Sequence, residues 1–482
     1  MCVSTDHDQT GNTGFSFIAL VILFTAILIT LIGCGDQPKT IPTVDDSTDV
    51  TSNVLVAPSQ NNNGTVTPVI SGVMPTTPSF PTTDTFSVEG NRPFFDEFSW
   101  QMFIALSWPV VNGQPGVPQN PKDPNEFLKM SNSSPVVWTS YKNQYDLFGT
   151  KNPTPWGSNT GQTSPVSGNT NHVFLASINA QSIMHGEADE SFSVPLIDQN
   201  KNYALFEIRY NEVQYDFLFD NKLYLINDLG SYLDTHGDTI AMPASTSSKE
   251  GSIMVKAAWR TLTGNDDPSR YYVIDELVYD PVVNKNVKMK MGLVGFHIAQ
   301  KVGAFPQWIW SSFEQVDNVG ESPISKKPYS FNNGTNVPPT VQGYANKPDS
   351  TGLNKNKTTR TPVQVSRLNK IPTTPVGQST VDLNALYQAA VGDNWMKHYE
   401  LVITQWPSNP TQFVQSSKGG IYPGDSGGAF PVNGCANTTM ETYFQSQSDA
   451  AGLGNSCMNC HYQANNMDYS WSLFLRSHQA PN

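Results

Sequence analysis

Five segments in the middle of the chain have the composition of β-strands, and they constrain the fold more than any other part of the sequence. They are rich in β-branched and aromatic residues and are bounded by turn formers. The segments are YALFEIRY (203–210), SIMVKAAWRTL (252–262), RYYVIDELVY (270–279), KMKMGLVGFHIAQKV (288–302) and PQWIWSSFEQV (306–316). Short connections favour antiparallel pairing. The sequence therefore predicts an antiparallel sheet.

Helices are predicted both before and after this sheet region in the sequence. Pro93 occupies a first helical position, Asp96 and Glu97 follow in the first turn, and Pro109 ends the segment. Its apolar residues recur at helical spacing; they are Phe95, Phe98, Met102 and Leu106. The C-terminal tail is predicted to be mainly helical apart from one strand-like piece, YELVITQWP (399–407). The expected fold class is α+β, an antiparallel β-sheet core region with flanking helices, long loops and a helical C-terminal segment.

Two polar stretches separate these elements, and we expect surface loops in both. One covers about sixty residues rich in Asn, Pro and Gly after Pro109, and the other runs from Asp317 to about Val381. Glycine and proline supply 35 residues each, and only 14% of residues are charged, against about 25% in an average soluble domain. This composition favours a loop-rich, exported protein.

The N-terminus has the pattern of an export signal. Phe15–Gly33 is a run of nineteen residues without a charge, long enough to enter a bilayer as a helix. It ends in Leu31-Ile32-Gly33-Cys34, the pattern of a lipobox, in which the cysteine thiol accepts a diacylglyceryl group. An uncleaved single-span anchor is the alternative, because no Lys or Arg precedes the run. Both interpretations predict a periplasmic or cell-surface protein anchored to a membrane.

The chain is expected to divide into four parts. Residues 1–34 form the signal peptide with the lipobox cysteine. Residues 35–92 are mostly Thr, Pro, Ser, Asn, Asp and Gly without helical or strand period, which predicts a disordered tether. Residues 93–430 form the α+β globular domain, and residues 431–482 form a C-terminal segment packed on it.

The charge of the chain excludes one class of partner. There are 28 basic residues against 41 acidic ones, a formal net charge of −13. Binding to a nucleic-acid backbone needs clustered Lys and Arg that displace counterions. Nucleic acid is therefore not expected to be a partner.

The strongest functional motif is Cys457-Met458-Asn459-Cys460-His461, which has the CxxCH arrangement of covalent haem c attachment. Two thiols one helical turn apart add across the two vinyl groups, and the adjacent imidazole is then held beneath the iron as proximal ligand. Three alternatives compete, namely a zinc site that also uses Cys435, a CxxC redox pair and a plain disulfide. Cys457, Cys460 and His461 are therefore predicted to hold one covalent haem c.

A second motif, Gly424-Asp425-Ser426-Gly427-Gly428, has the GDSGG sequence found around the nucleophile of chymotrypsin-like serine proteases. A catalytic triad also needs a base and an orienting acid, and the Ala-Ala-His turn of that family is absent upstream. The CxxCH motif follows within about thirty residues, where such a protease still needs strands for its specificity pocket. A tight turn is the better interpretation, and no catalytic residue is assigned.

A weaker candidate site lies on the predicted strands, where the two-residue period places cationic residues beside aromatic ones. The residues that share a face are Lys256, Ala258 and Arg260 on one strand, Met291, Leu293, Gly295, His297 and Lys301 on a second, and Trp308 and Trp310 on a third. Lys256, Arg260 and His297 are candidate contacts for haem propionates or a small anion. The alternative is a solvated sheet face with one hydrogen-bonded core histidine.

Several blocks occur in a fixed order before the C-terminal CxxCH. They are FFDEFSWQMFIALSWP, VKAAWR, MGLVGFHIAQKV followed by PQWIWSSFEQVDNV, YELVITQWP, and ANTTMETYFQ leading into SCMNCH. In these blocks the chain resembles a family of bacterial exported proteins generally labelled cytochrome c family protein. The resemblance implies a covalent haem, carried here by Cys457, Cys460 and His461, and no defined substrate. The chain departs from the small helical cytochrome c domain, because about twenty residues remain after His461.

That short remainder leaves the distal iron ligand open. Met467 lies six residues after His461, a short span for a chain that must reach the opposite face of the macrocycle. The more distant candidates are Met440, His398, His297 and Cys435. Two strong ligands favour outer-sphere electron transfer, whereas an open sixth position permits chemistry on peroxide, oxygen or another small ligand.

Three functions follow from these residues. The first is a membrane-tethered c-type cytochrome with one haem that transfers one electron at a time, with redox partner proteins that the sequence does not name. The second is a haem-dependent oxidoreductase acting on a small molecule near Lys256, Arg260 and His297. The third is a surface-binding lipoprotein in which the β region engages a glycan or a protein.

Overall fold

The computed structural model describes the chain in the ranges 66–79, 91–149, 152–158, 195–280, 283, 285–335, 360–374, 376–407, 410, 413–423, 429–430, 436–443, 445 and 457–477. All of these residues belong to the unit Val56–Asn482. The lipobox with Cys34, the motif at 424–428 and Cys435 lie outside the described residues.

An eight-stranded sheet lies at the centre of the fold. The described residues form ten strands, of which all but two belong to this sheet. The ten strands are β1 (Lys142–Asn143), β2 (Leu205–Tyr210), β3 (Ile253–Thr261), β4 (Val273–Asp280), β5 (Lys285–Val302), β6 (Phe305–Gln315), β7 (Tyr399–Pro407), β8 (Phe413–Gln415), β9 (Ile421–Pro423) and β10 (Ala429–Phe430). The order across the sheet is β1-β2-β3-β5-β6-β7-β10, with β4 paired to β5, while β8 and β9 form a separate pair. Every pair is antiparallel. The predicted antiparallel sheet is confirmed.

Helices surround this sheet, so the predicted α+β class is also confirmed. The α-helices are α1 (Arg92–Leu106), α2 (Pro124–Leu128), α3 (Tyr145–Phe148), α4 (Glu212–Asp220), α5 (Ile226–Thr235), α6 (Thr380–Ala390), α7 (Cys457–His461) and α8 (Trp471–Arg476). Short 3-10 helices cover Trp138–Ser140, Pro268–Arg270, Trp395–His398 and Tyr462–Met467. Among the described residues, no helix combines the length and apolar character that crossing a membrane requires.

Helix α1 is buried almost all round, which its spacing alone did not predict. It packs on the sheet, where Phe95 stacks on Trp406 with ring centroids 3.9 Å apart, and against α6, where Trp100 stacks on Tyr387 at 5.2 Å. The helix begins at Arg92, so Asp96 lies in its second turn and not in the first. Because Asp96 is buried, its pKa is raised to about 6 even though Thr380 Oγ1 donates a 2.6 Å hydrogen bond to it.

The two faces of the sheet pack against different parts of the chain. Val255, Ala257 and Trp259 of β3 belong to the apolar cluster that contains α1, so we call their side the α1 face. Met254 and Ala258 point to the opposite side, against clusters that include residues of the C-terminal segment. We call that side the C-terminal face. Alternate residues of one strand therefore serve two separate cores.

A β-bulge corrects the predicted grouping of residues on β5. The register between β3 and β5 shifts between Ala258 and Trp259, and Val294 is left without a partner across the strands. Gly295 keeps its place on the C-terminal face, whereas Leu293 joins the α1 face. The extra residue inverts the alternation, as it also does for Met291, and periodicity alone does not reveal it.

Residues 66–79, which the sequence assigned to the tether, are folded against the sheet unit, and the predicted disorder is wrong there. Gly72 N–H donates to the Pro121 carbonyl at 2.8 Å, and Gln300 Nε2 donates to the Pro75 carbonyl at 2.8 Å. Met74 is buried in the α1-face cluster. These contacts offset the entropy of ordering a polar stretch.

The loop-rich stretch after Pro109 also supplies core residues, contrary to its predicted surface position. Phe127, Val136 and Trp138 are fully buried in the α1-face cluster. They occur in short apolar runs, Phe127-Leu128 and Val136-Val137-Trp138, that are too short to show a helical or strand period. A few large apolar side chains are sufficient to attach a long irregular segment to the core.

Candidate functional site

Helix α7 brings the three motif side chains to one side. Positions 457, 460 and 461 are related by three and four residues, which places their side chains on the same face of a helix. Cys457 and Cys460 are both thiols rather than halves of a disulfide, and both are half-buried. The Cys457 N–H donates to Gln405 Oε1 of β7 at 2.7 Å, which attaches the start of the helix to the sheet.

The Cys457 thiol has the opposite character from a redox-active CxxC cysteine. Its burial raises the pKa well above the ordinary value, and the nearby Glu441 carboxyl raises it further. A nucleophilic cysteine of a thiol-disulfide enzyme needs a lowered pKa, because the thiolate is the attacking species. This environment does not favour the CxxC redox pair.

His461 is held in a defined tautomer. Its Nδ1 lies 2.7 Å from the Tyr469 carbonyl oxygen. A carbonyl can only accept, so Nδ1 carries a hydrogen, and when the imidazole is neutral its lone pair is on Nε2. The Trp310 ring of β6 lies 4.3 Å from the imidazole, centroid to centroid, at 40°. This is the arrangement in which a histidine presents Nε2 as a metal ligand.

A polar group on the C-terminal face lies within electrostatic reach of the motif. Lys256 of β3 and His297 of β5 are directly paired across the strands. His297 Nε2 is 3.4 Å from Glu441 Oε1, in the segment 436–443 that covers this part of the sheet. The charge of His461 also acts on His297. Two of the three predicted anion contacts, Lys256 and His297, therefore lie beside the motif.

Burial sets the ionisation of this group. Desolvation, with the charges of Lys256 and His461, lowers the pKa of His297 to about 3, and desolvation raises the pKa of Glu441 to about 7. His297 is thus neutral at pH 7, and the 3.4 Å contact is not a full ion pair. Its Nε2 is buried and makes no hydrogen bond within the part of the chain that the structure describes.

Arg260, the third predicted anion contact, lies elsewhere. It is four residues from Lys256 on β3, which places it about 13 Å farther along the strand. Its guanidinium pairs with Asp198 at 3.2 Å and with Asp266 at 2.7 Å, and all three side chains are buried. Both carboxylates pair with the Arg260 guanidinium. The structure therefore places Arg260 in a separate ion-pair cluster and does not bring it to the motif.

The candidates for the distal ligand are spread over the fold. His398 precedes β7, seven residues before the Gln405 that contacts the motif, so it lies about 23 Å away along the strand. Met440 is buried in the cluster around Ala258. Met467 is in the same apolar cluster as Trp310, against which Cys457 packs. Cys435 lies outside the described residues.

Sequence reasoning missed Tyr469, Asp468 and Glu441. Tyr469 contributes a backbone carbonyl, which any residue possesses, and no sequence signal distinguishes it. Asp468 and Glu441 are isolated carboxylates without a recognisable spacing to the motif. Their roles depend on contacts with distant strands.

No group of three or more His, Cys, Asp and Glu side chains in the described part of the chain is arranged to hold a metal ion. The fourth predicted zinc ligand, Cys435, is outside that part. Comparisons of the chain with protein families, with curated proteins and with solved structures find no match.

Proposed function

We propose that this protein is an exported, membrane-anchored c-type cytochrome that holds one covalent haem through Cys457, Cys460 and His461 and transfers single electrons. The observation that carries the proposal is the hydrogen bond from His461 Nδ1 to the Tyr469 carbonyl. It leaves Nε2 as the donor atom that a haem iron needs, next to two thiols at the spacing of thioether attachment.

The residues of the site fit the group by their chemistry. Haem, when bound, supplies a one-electron redox centre. The two cysteines would hold its edge, and His461 would ligate the iron through Nε2. Trp310 covers the imidazole, while Trp308 and Met467 belong to the same apolar cluster. An apolar environment of this kind limits water at the iron and tunes its potential. Anchoring would come from Cys34 or from the run before it.

The test is maturation of the full chain in a host that attaches haem. We expect the purified protein to be coloured, to stain for peroxidase activity on a denaturing gel and to have the mass of the polypeptide plus one haem. The double variant Cys457→Ala, Cys460→Ala removes both attachment atoms and should lose all three signals. The matched control Cys435→Ala also removes a cysteine but should keep them. Colourless wild-type protein would refute the proposal.

A haem-dependent oxidoreductase is the second candidate, and the group formed by Lys256, His297 and Glu441 favours it. The Glu441 carboxyl, whose pKa is about 7, can exchange protons with a substrate near neutral pH, and it lies beside the neutral imidazole of His297. Spectra of the reduced haem protein with and without carbon monoxide test for an open iron position. His297→Gln should lower peroxide turnover if the group acts in catalysis. A spectrum that carbon monoxide leaves unchanged would instead support electron transfer alone.

A further inference from the structure

Asp468 lies one residue before the carbonyl that accepts the His461 hydrogen bond, and its side chain is fully buried. Asp468 Oδ2 accepts from the N–H of Met242 at 2.6 Å and also from Lys301 Nζ. Its Oδ1 accepts from Trp308 Nε1 at 3.1 Å. Lys301 belongs to β5, Trp308 to β6, and Met242 to the segment before β3. Three separate segments therefore converge on one carboxylate of the C-terminal segment.

The backbone at Asp468 and Tyr469 is in a conformation that few side chains adopt. The φ angles are +53° and +65°, both in the left-handed region. Two consecutive non-glycine residues keep this conformation only where their surroundings hold it. The turn is closed locally, because Asp468 N–H donates to the Asn465 carbonyl at 3.0 Å and Tyr469 N–H donates to the Ala464 carbonyl at 2.9 Å.

The turn is also attached to the rest of the fold, and Asp468 makes most of that attachment. Apart from its three bonds, Ile240 N–H donates to the Asn466 carbonyl at 2.7 Å. Lys301 Nζ lies 5.8 Å from the Trp308 ring centroid, so the cation is held by both the carboxylate and the indole. The direction of the Tyr469 carbonyl thus depends on a buried charge pair anchored in the sheet.

We propose that Asp468 is the positioning residue for His461: it fixes the turn that carries the Tyr469 carbonyl and thereby sets the orientation and electron donation of the imidazole toward the haem iron. This inference rests on the proposed function and adds the device that tunes it. Partners of this kind, one step removed from a metal ligand, fix the histidine tautomer and raise its basicity. Their loss typically changes metal affinity or activity by about 10-fold to 100-fold.

The test is the variant Asp468→Asn, prepared with haem attached. The amide is similar in size, but it removes the charge that pairs with Lys301. It also replaces one of the two accepting oxygens with an NH₂ group, which cannot accept a hydrogen bond. We expect full covalent haem content, because the thioether bonds do not involve Asp468. We also expect a higher reduction potential and an altered ferric spectrum, since a less firmly bonded imidazole stabilises the ferric iron less.

Two further variants separate positioning from stability. Asp198→Asn removes another fully buried carboxylate, which pairs with Arg260, and should lower stability while leaving potential and spectrum unchanged. Trp308→Phe removes the indole N–H that donates to Asp468. It should raise the reduction potential by less than Asp468→Asn does. This variant tests the inference if Asp468→Asn does not fold.

A haem-loaded Asp468→Asn protein with the wild-type potential and spectrum would overturn the inference, as would an equal shift in Asp198→Asn. Wild-type protein without covalent haem would instead refute the proposed function. Haem content, measured as the pyridine haemochrome, therefore distinguishes the two failures.

Discussion

Burial determines the charge of the individual residues around the CxxCH motif. It keeps His297 neutral, raises the pKa of the Cys457 thiol and brings the pKa of Glu441 close to 7. A carboxyl that is protonated in the folded state but ionised in the unfolded state links folding to pH. Glu441 is therefore the residue near the motif at which this linkage is most easily measured.

We predict that Glu441→Gln removes a pH-dependent part of the stability. Because folding raises the pKa of Glu441 from 4.5 to about 7, the stabilising proton is present below pH 4.5 and is lost as the pH rises through 7. The variant should gain stability relative to the wild type as the pH rises from 4.5 to 7, by about 3 kcal/mol in all. Urea unfolding at several pH values measures this difference.

Glu212→Gln provides the control, because the Glu212 side chain is exposed in the first turn of α4. The stability difference between this variant and the wild type should change less over the same range. A flat difference for Glu441→Gln would show that the carboxyl is ionised in the folded protein.

At the scale of elements, the docking of segment 436–443 on the sheet depends on Gly295, which has no side chain. Asn437 Nδ2 donates to the Phe313 carbonyl at 2.8 Å, and the Thr438 N–H donates to Glu314 Oε2 at 2.8 Å. Thr439 Oγ1 lies where a Cβ on Gly295 would be. The glycine thus permits the close approach that brings Glu441 to His297.

Gly295→Ala should therefore destabilise the protein by about 1 to 3 kcal/mol, the usual cost of overpacking. The added methyl would overlap Thr439 Oγ1 and would lie 3.3 Å from Asn437 Oδ1 in the present geometry. Chemical denaturation measures the loss. We also expect the segment to become more accessible to proteolysis.

The matched control is Gly264→Ala, at an exposed glycine whose added Cβ would meet no atom within 4 Å. Its effect should remain within about 0.5 kcal/mol. Equal stability losses in the two variants would indicate that the close approach at Gly295 has no special role.

At the scale of the whole molecule, several carboxyls are buried inside the folded unit. Burial raises the pKa of Glu97, Glu400 and Glu441 to about 7 and the pKa of Asp96 and Asp146 to about 6. These acids retain protons in the folded state that the unfolded chain has already released. Together they make the stability of the whole fold dependent on pH.

We predict that the free energy of unfolding decreases as the pH rises from 6.5 to 8. His297 and His398, with pKa values lowered to about 3 and 4, oppose the acids mainly below about pH 7, where the unfolded chain still protonates them. Above pH 6.5, Glu97, Glu400 and Glu441 still hold protons in the folded state that the unfolded chain has already released. This difference lowers the free energy of unfolding by roughly 2 kcal/mol between pH 6.5 and 8. Thermal or urea unfolding in one buffer series measures the trend. A midpoint that rises with pH would contradict it.

Local patterns allowed the sequence by itself to determine much of the fold. The five strand segments, the strand at 399–407 and α1 were predictable because apolar periodicity reflects which faces of an element are buried. The positions of Cys457, Cys460 and His461 on one helical turn also follow from spacing alone, and the haem that they imply stays a prediction. These features depend on residues fewer than twenty positions apart.

Only the tertiary structure decided how these elements meet. The bulge at Val294 set which residues of β5 lie on the C-terminal face, and the contacts of residues 66–79 placed part of the expected tether in the fold. Asp468 and Lys301 are separated by 167 residues, yet their contact anchors the turn whose Tyr469 carbonyl accepts the His461 hydrogen bond. Such contacts have no local signal, because burial and charge pairing act between atoms that only folding brings together.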